Sequence, residues 1–561
     1  MQFETSAAQL LAILADEGID YFFMNPGTDT APVQEALAER RAARMERPMP
    51  VLCLHEHVAL SAAIGSFMVT QKPQAVMVHV DCGTLNLGGA LHNAQRNGLP
   101  AVIFAGRTPY SVTDDVPGYR DGAFQWQQEQ LDQPAVVRSF GKWSMEIPRG
   151  RHLGSIVRRA FQVADAQPRG LSYVMTSREA MMEPPAPTPP KSARPTLPGP
   201  DPEALRTIAG ALVNAKRPLV IAQRVGRNPG CVPVLAELST LLKAPILDIR
   251  DYVNVPPDHS LAIPYAEGTS LIKSADAILL LDVEVPWVPG VVVPSHGARV
   301  MQIDHDCVKS SMPSWSFPID IALTADTSLA LPMLQRAVVE QLKGQRTGTW
   351  TEAEQVIKAS RITVRARAGS NSPEDAADAA CAAINDALPA DAIVLVEAVT
   401  NEVAVARQLS RRPGSFFQVG ASSLGWSVGA SIGAKLAAPE RPVVAICGDG
   451  SFNFSVPTAA LWTARRSKTP FVTVILNNSR YAASQTPVER LFPDGTAAAR
   501  RDFAETDLDP PVDYAGVARA CGAEGIQVKS HEGVHDAVRQ SLKRLDEGVS
   551  TVIDLVLPKP G

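Results

Sequence analysis

The chain has 561 residues, 45% of them hydrophobic and 20% charged, and a net charge of −5. That composition excludes a collagen-like or disordered chain, and at about 150 residues per domain it predicts three or four domains. No block of one charge sign stands out, so nucleic acid and anionic membranes are not expected partners.

Seven cysteines are scattered without a C-x-x-C pair. This argues against a disulfide framework or zinc knuckle and fits a reducing compartment. The opening MQFETSAAQLLAILADEGID carries acids in an amphipathic pattern, unlike a secretory signal. No apolar run approaches the roughly 20 residues of a membrane span. A soluble, cytoplasmic protein is expected.

In the first block, residues 1–182, short apolar runs such as AVMVHV and AVIFAG alternate with helical patterns. There PVLCLHEHVALSAAIGSFMVTQKP reads as a strand entering a helix, with Glu56 at the junction. By default such a glutamate complements the helix dipole. Eight of the chain's 46 prolines then fall within the 18 residues 183–200, an extended linker. The central block, 201–342, repeats the alternation with PLVIAQ and AILLLDV, and a second linker covers 343–371 with one short helical pattern. The last block, 372–561, carries AIVLVEA, VVAICGDG and FVTVILNN. Runs this apolar predict strands buried on both faces of parallel sheets. The predicted fold is α/β, with three doubly wound parallel-sheet domains in series.

The last block holds the strongest constellation. Gly448-Asp449-Gly450 ends one predicted strand and Asn477-Asn478 ends the next, with 26 residues between. A right-handed βαβ unit places both at the carboxyl edge of one sheet, where α/β folds bind ligands. Glycines let the backbone approach an anion, and Asp449 and Asn478 offer hard oxygen ligands for Mg²⁺.

G-D-G followed at this spacing by N-N resembles the diphosphate-and-metal motif of thiamine diphosphate (ThDP) enzymes. The whole chain is similar to the acetolactate synthase and benzoylformate decarboxylase family, in the order pyrimidine-binding, central and diphosphate-binding domain. The resemblance implies ThDP and Mg²⁺ as cofactors. Its implied metal ligands are Asp449, Asn478 and the main chain of Arg480. Gly448, Gly450, Ser451, Thr400 and Tyr481 are implied at the cofactor, with the Ser422 carbonyl on the pyrimidine amino group and Leu424 under the thiazolium. Glu56 is implied to face the aminopyrimidine, so that a ylid forms and an enamine stores the electrons. For that role Glu56 should be buried. The family draws Glu56 and the metal motif from different subunits, which implies a homodimer or homotetramer with its sites at the subunit interface. The first and third domains are expected to share one fold. The central domain lacks a G-x-G-x-x-G fingerprint and is expected to carry no FAD.

Closer motifs lean toward benzoylformate decarboxylase. Asn25-Pro26-Gly27-Thr28 is similar to its N-P-G-S, which implies that Thr28 meets the substrate carboxylate. His79 to Asn86, HVDCGTLN, is similar to H-x-x-x-G-T-x-N, which implies that His79 relays protons. Gln128 resembles a glutamine of acetolactate synthases, and Glu489 is a candidate partner for a substrate hydroxyl. Ala482, Ala483 and Ser484 would line a roomy pocket. His55 and His57 are expected on the face opposite Glu56 if the segment is extended. One departure stands out: where the family has a second active-site histidine, this chain reads VEVPWVPGVV, with Trp287.

The expected activity is therefore a C–C lyase decarboxylating a small-molecule 2-oxo acid. The alternatives are acetolactate synthase-type carboligation and 2-hydroxyacyl-CoA cleavage; the latter calls for a basic nucleotide groove and often a C-terminal lid. A non-catalytic ThDP-fold subunit should have lost Glu56 or the metal ligands, and all are present.

Overall fold

A computed structural model describes residues 3–342, 350–420 and 423–558. They form three six-stranded sheets, each wholly parallel. The first holds β1 (Tyr21–Met24), β2 (Met49–Leu52), β3 (Gln74–Val78), β4 (Ala101–Gly106), β5 (Gly141–Ile147) and β6 (Leu171–Thr176) in the order β2-β1-β3-β4-β6-β5. The second holds β7 (Pro218–Ala222), β8 (Ile246–Asp248), β9 (Ala262–Pro264), β10 (Ala277–Leu281), β11 (Arg299–Asp304) and β12 (Ile321–Thr324) in the order β12-β11-β10-β7-β8-β9. The third holds β13 (Ile393–Glu397), β14 (Phe416–Gln418), β15 (Val443–Gly448), β16 (Val472–Asn477), β17 (Glu524–Val528) and β18 (Thr551–Val556) in the order β14-β13-β15-β16-β18-β17. The first and third sheets thus share one topology.

The apolar runs become strands because helices cover both faces. Every residue of β3, β4, β6, β10 and β13 is buried. The edge strand β5 is more open, with Lys142, Ser144 and Met145 exposed and Trp143 and Glu146 half-buried.

Residues 184–200 adopt neither helix nor strand. They are strapped along the first domain: Gln9 Nε2 donates to the Ala186 carbonyl at 2.7 Å, and Arg194 reaches the enclosed Glu17 carboxylate at 2.6 Å. The segment read as a second linker contains the helix Thr351–Ala368, 18 residues long. Trp350, Ala353 and Ile357 bury into the central core beside Trp287, so this helix packs as part of the central domain.

One helix pair joins the outer domains. Helix Glu56–Thr70, after β2, packs along helix Trp426–Ala437, after β14, so the two occupy the same place in the repeated fold. Both are buried nearly all round, as such a position demands. A Cβ on Gly433 would overlap the Ala62 carbonyl, and one on Gly65 the Ala430 carbonyl. Bare glycines let the two backbones touch, and the two domains share one hydrophobic core.

Candidate active site

β15 and β16 pair in parallel with Gly448 opposite Leu476, so Asp449 and Asn478 leave the same carboxyl edge. The next helix begins at Asp449. Asp449 is only 4% exposed. Its Oδ1 accepts the Gly450 N–H at 2.7 Å, while its buried Oδ2 has no hydrogen-bond partner. Burial pushes this carboxyl above its ordinary range, and the N–H groups of Gly450, Ser479 and Arg480 oppose the rise. A buried carboxylate oxygen without a partner is the group a cation would satisfy.

The two asparagines divide the work. Asn477 is buried and donates to Asp554 Oδ1 at 2.8 Å, which fixes the strand end. Ser479 turns the chain at φ +53°, and Asn478 Oδ1 accepts the Arg480 N–H at 3.1 Å. That holds Asn478 and the Arg480 main chain in one tight loop. A Cβ on Gly448 would meet nothing within 4 Å, so space opens at the strand end. At Gly450 a Cβ would stand 3.0 Å from the Tyr481 ring and 4.0 Å from Leu424 Cδ1. Gly450 therefore forms a floor between these two side chains. Ser451 Oγ donates to the Glu397 carbonyl at 3.1 Å. Thr400 is exposed on the turn after β13, next to β15 in the sheet. The donor set suits Mg²⁺ with a diphosphate. Ser422 lies outside the described residues.

Glu397, the last residue of β13, was not anticipated from sequence. Its carboxylate is 1% exposed and accepts the N–H groups of Gly425 and Ser427. It thereby fixes the start of helix Trp426–Ala437 directly after Leu424. Burial pushes its carboxyl up to about 7, against those N–H bonds. A glutamate closing an otherwise apolar strand was the available signal.

The first domain supplies a second wall. Glu56 opens its helix and is 4% exposed, the burial expected of it. Asn86 Nδ2 donates to its Oε2 at 3.1 Å, and a Cβ on Gly83 would stand 2.8 Å from its Oε1. The G-T-x-N residues thus hold the glutamate and leave it room. His79 follows β3, and its Nδ1 pairs closely with Asp29. The Asp29 bond raises the imidazole pKa, burial opposes the rise, and a hydrogen bond with Gln128 adds to it. Thr28 is exposed beside Asp29, on the turn after Gly27.

Other candidates fall elsewhere. Because the helix starts at Glu56, the expected alternation around it is replaced by helical steps. His55 caps the helix by accepting the His57 N–H at 3.1 Å. His57 is buried, which lowers its pKa. Glu489 is exposed on helix Ala482–Leu491, 3.9 Å from Arg501, and no described hydrogen bond ties it to either wall. Ala482, Ala483 and Ser484 form the first turn of the same helix. Trp287 is buried edge-on against Phe317, with ring centroids 5.5 Å apart. In the same domain Asp282, Asp304 and His305 cluster at metal-ligating distances, but Lys309 Nζ lies 2.8 Å from Asp304 and Arg227 faces Asp282, so protein cations neutralise them.

Among the described residues, no helix is long and apolar enough to cross a membrane. The family model for the N-terminal TPP binding domain of thiamine pyrophosphate enzymes matches residues 4–136, and that for the C-terminal TPP binding domain matches residues 398–555. The chain is 27% identical to benzoylformate decarboxylase of Pseudomonas aeruginosa, over 94% of this chain and 95% of that protein. It is 24% identical to an acetolactate synthase large subunit of Parasynechococcus marenigrum, over 98% of this chain and 87% of that protein. The fold is similar to the crystal structure of benzoylformate decarboxylase from Polynucleobacter necessarius, with a TM-score of 0.79, 21% identity, and coverage of 100% of this chain and 99% of that one. Both cofactor-binding models fall on the two folds that share a topology, one at each end, and so the chain belongs to the thiamine pyrophosphate enzymes, catalysts that use ThDP with Mg²⁺.

Proposed function

We propose that this enzyme decarboxylates a 2-oxo acid, releasing CO₂ and an aldehyde, with ThDP and Mg²⁺. The observation that carries the reading is His79, a polarised imidazole on the same wall as the buried Glu56. Decarboxylation to an aldehyde needs a proton delivered to carbon, and an imidazole that holds its proton near neutral pH suits that task.

Bound ThDP would supply the carbon nucleophile and the electron sink for the bond that breaks. Asp449, Asn478 and the Arg480 main chain would hold Mg²⁺. Gly448, Gly450, Ser451, Thr400 and Tyr481 would border the diphosphate, with Leu424 beneath the thiazolium. Glu56, steadied by Asn86, would hold a proton at the pyrimidine. Thr28 would bind the substrate carboxylate through its hydroxyl. Gln128 would support His79.

Exposed Phe124, Trp126 and Leu131 lie near Gln128 in sequence, and exposed Phe454, Leu491 and Phe492 follow the two metal-motif segments. Such apolar surface around both walls supports a homodimer or homotetramer that encloses the site between subunits. Seven unpaired cysteines support a cytoplasmic location. Trp287 favours a second reading, carboligation or 2-hydroxyacyl-CoA cleavage, because the central domain offers no second imidazole there.

The test is a panel of 2-oxo acids and 2-hydroxyacyl-CoAs with CO₂ and aldehyde followed separately. The expected result is CO₂ and aldehyde from at least one acid; CO₂ from none removes the decarboxylase reading. Glu56→Gln should abolish turnover while leaving ThDP binding mostly intact, and unchanged turnover would refute its role.

A further inference from the structure

Asp29 has no assigned role, yet the fold is shaped around it. Its side chain is 2% exposed and sits on the turn Thr28–Thr30 after β1, 50 residues from the histidine it meets. Two bare glycine positions make the space. A Cβ on Gly106, at the end of β4, would overlap the Asp29 carboxylate, and one on Gly27 would overlap the His79 ring. Val80, directly after His79, takes φ +23°, a conformation that costs a β-branched residue energy. Its N–H points to Asp29 Oδ2 at 3.5 Å. Three strand ends and one unfavourable dihedral thus converge on a single carboxylate–imidazole pair.

We infer that Asp29 is a positioning residue that keeps the His79 Nδ1 protonated and makes Nε2–H the proton donor for aldehyde release. The inference rests on the decarboxylase reading. A carboxylate on Nδ1 fixes the tautomer and stabilises the imidazolium, as an opposite charge in contact does. When the C–COO⁻ bond breaks, its electron pair stays on the substrate carbon. That pair takes the Nε2 proton to form the new C–H bond, and water reprotonates the imidazole, so no oxidant or reductant is consumed. The groups facing the ring are Asp29 from the β1 turn, Glu56 from the helix after β2, and Gln128 from the turn after helix Phe124–Gln127. Asp81 and Cys82 lie on the helix that His79 itself caps, and Cys82 also contacts Gln128. Asp29 and Glu56 both favour the charged imidazole; Asp29 makes the contact.

The experiment titrates ¹⁵N-histidine-labelled holoenzyme by NMR, with His79 assigned from its loss in His79→Gln. Wild-type His79 should titrate above free histidine with Nδ1 protonated, and in Asp29→Asn its midpoint should fall. For an acid accepted by the wild type, Asp29→Asn should lower kcat for aldehyde release by about tenfold to a hundredfold at pH 8 with KM nearly unchanged, and should move the alkaline limb of the profile to lower pH. An identical His79 titration in both proteins overturns the inference. If Asp29→Asn does not fold, a wild-type His79 titrating at or below free histidine overturns it alone. Failure of every 2-oxo acid defeats the decarboxylase reading, while the titration still reports on the pair.

Discussion

Glu397→Gln probes how the fold holds the turn after Leu424, the residue we propose beneath the cofactor. In the wild type, one carboxylate accepts two buried N–H groups, from Gly425 and Ser427. A glutamine can accept with its oxygen, but its NH₂ cannot accept, so one backbone N–H is left unpaired at a cost of about 1–3 kcal/mol. The pH dependence gives a second handle. The carboxyl ordinarily titrates at 4.5 and is held at about 7 in the fold. Between those values the unfolded chain has released its proton while the native state keeps it. Stability therefore falls as pH rises through that window, by about 3 kcal/mol, and is level above it. Glutamine removes this slope. The variant should be clearly less stable than wild type at pH 5, and the gap should close or reverse by pH 8. Amide exchange at Gly425 and Ser427, corrected for intrinsic rates, should be about fivefold to 150-fold faster in the variant at pH 5. ThDP affinity should fall too, because Leu424 immediately precedes the clamped turn. Equal exchange, with parallel stability–pH curves for the two proteins, would refute the clamp.

Two further outcomes follow from the geometry. Gly433→Ala places a methyl group on the Ala62 carbonyl, so the helices must separate and stability should drop by about 1–3 kcal/mol; an unchanged melting temperature contradicts the close approach. Asp449→Ala removes the buried carboxylate with the unpartnered oxygen, and Mg²⁺-dependent ThDP binding should disappear from calorimetry. Undiminished binding would show that the metal is held elsewhere.

Much of the cradle was legible because its determinants are local. The runs VVAICGDG and FVTVILNN each carry a buried strand and the proposed ligands at its end, and one βαβ unit brings the ends together. Glu56 was legible for the same reason, as a strand-to-helix junction. The helix at 351–368 was only half legible: its pattern was short in sequence, and its burial depends on Trp350, Ala353 and Ile357 meeting a core built from distant strands. The alternation expected around His55 and His57 gave way because the helix begins at Glu56 itself.

Sequence alone determined three apolar-stranded α/β domains, their order, and the strand ends that carry G-D-G and N-N, because hydrophobic period and glycine chemistry act over a few residues. Only the tertiary structure decided that Asp29 pairs with His79, that Glu397 holds the turn after Leu424, and that Gly65 and Gly433 let two domains touch. Nothing local to Asp29 in its turn or Glu397 at its strand end names a partner until parallel crossovers bring separate strand ends together. At that point burial gives each carboxylate its partner, and the partner gives it a role.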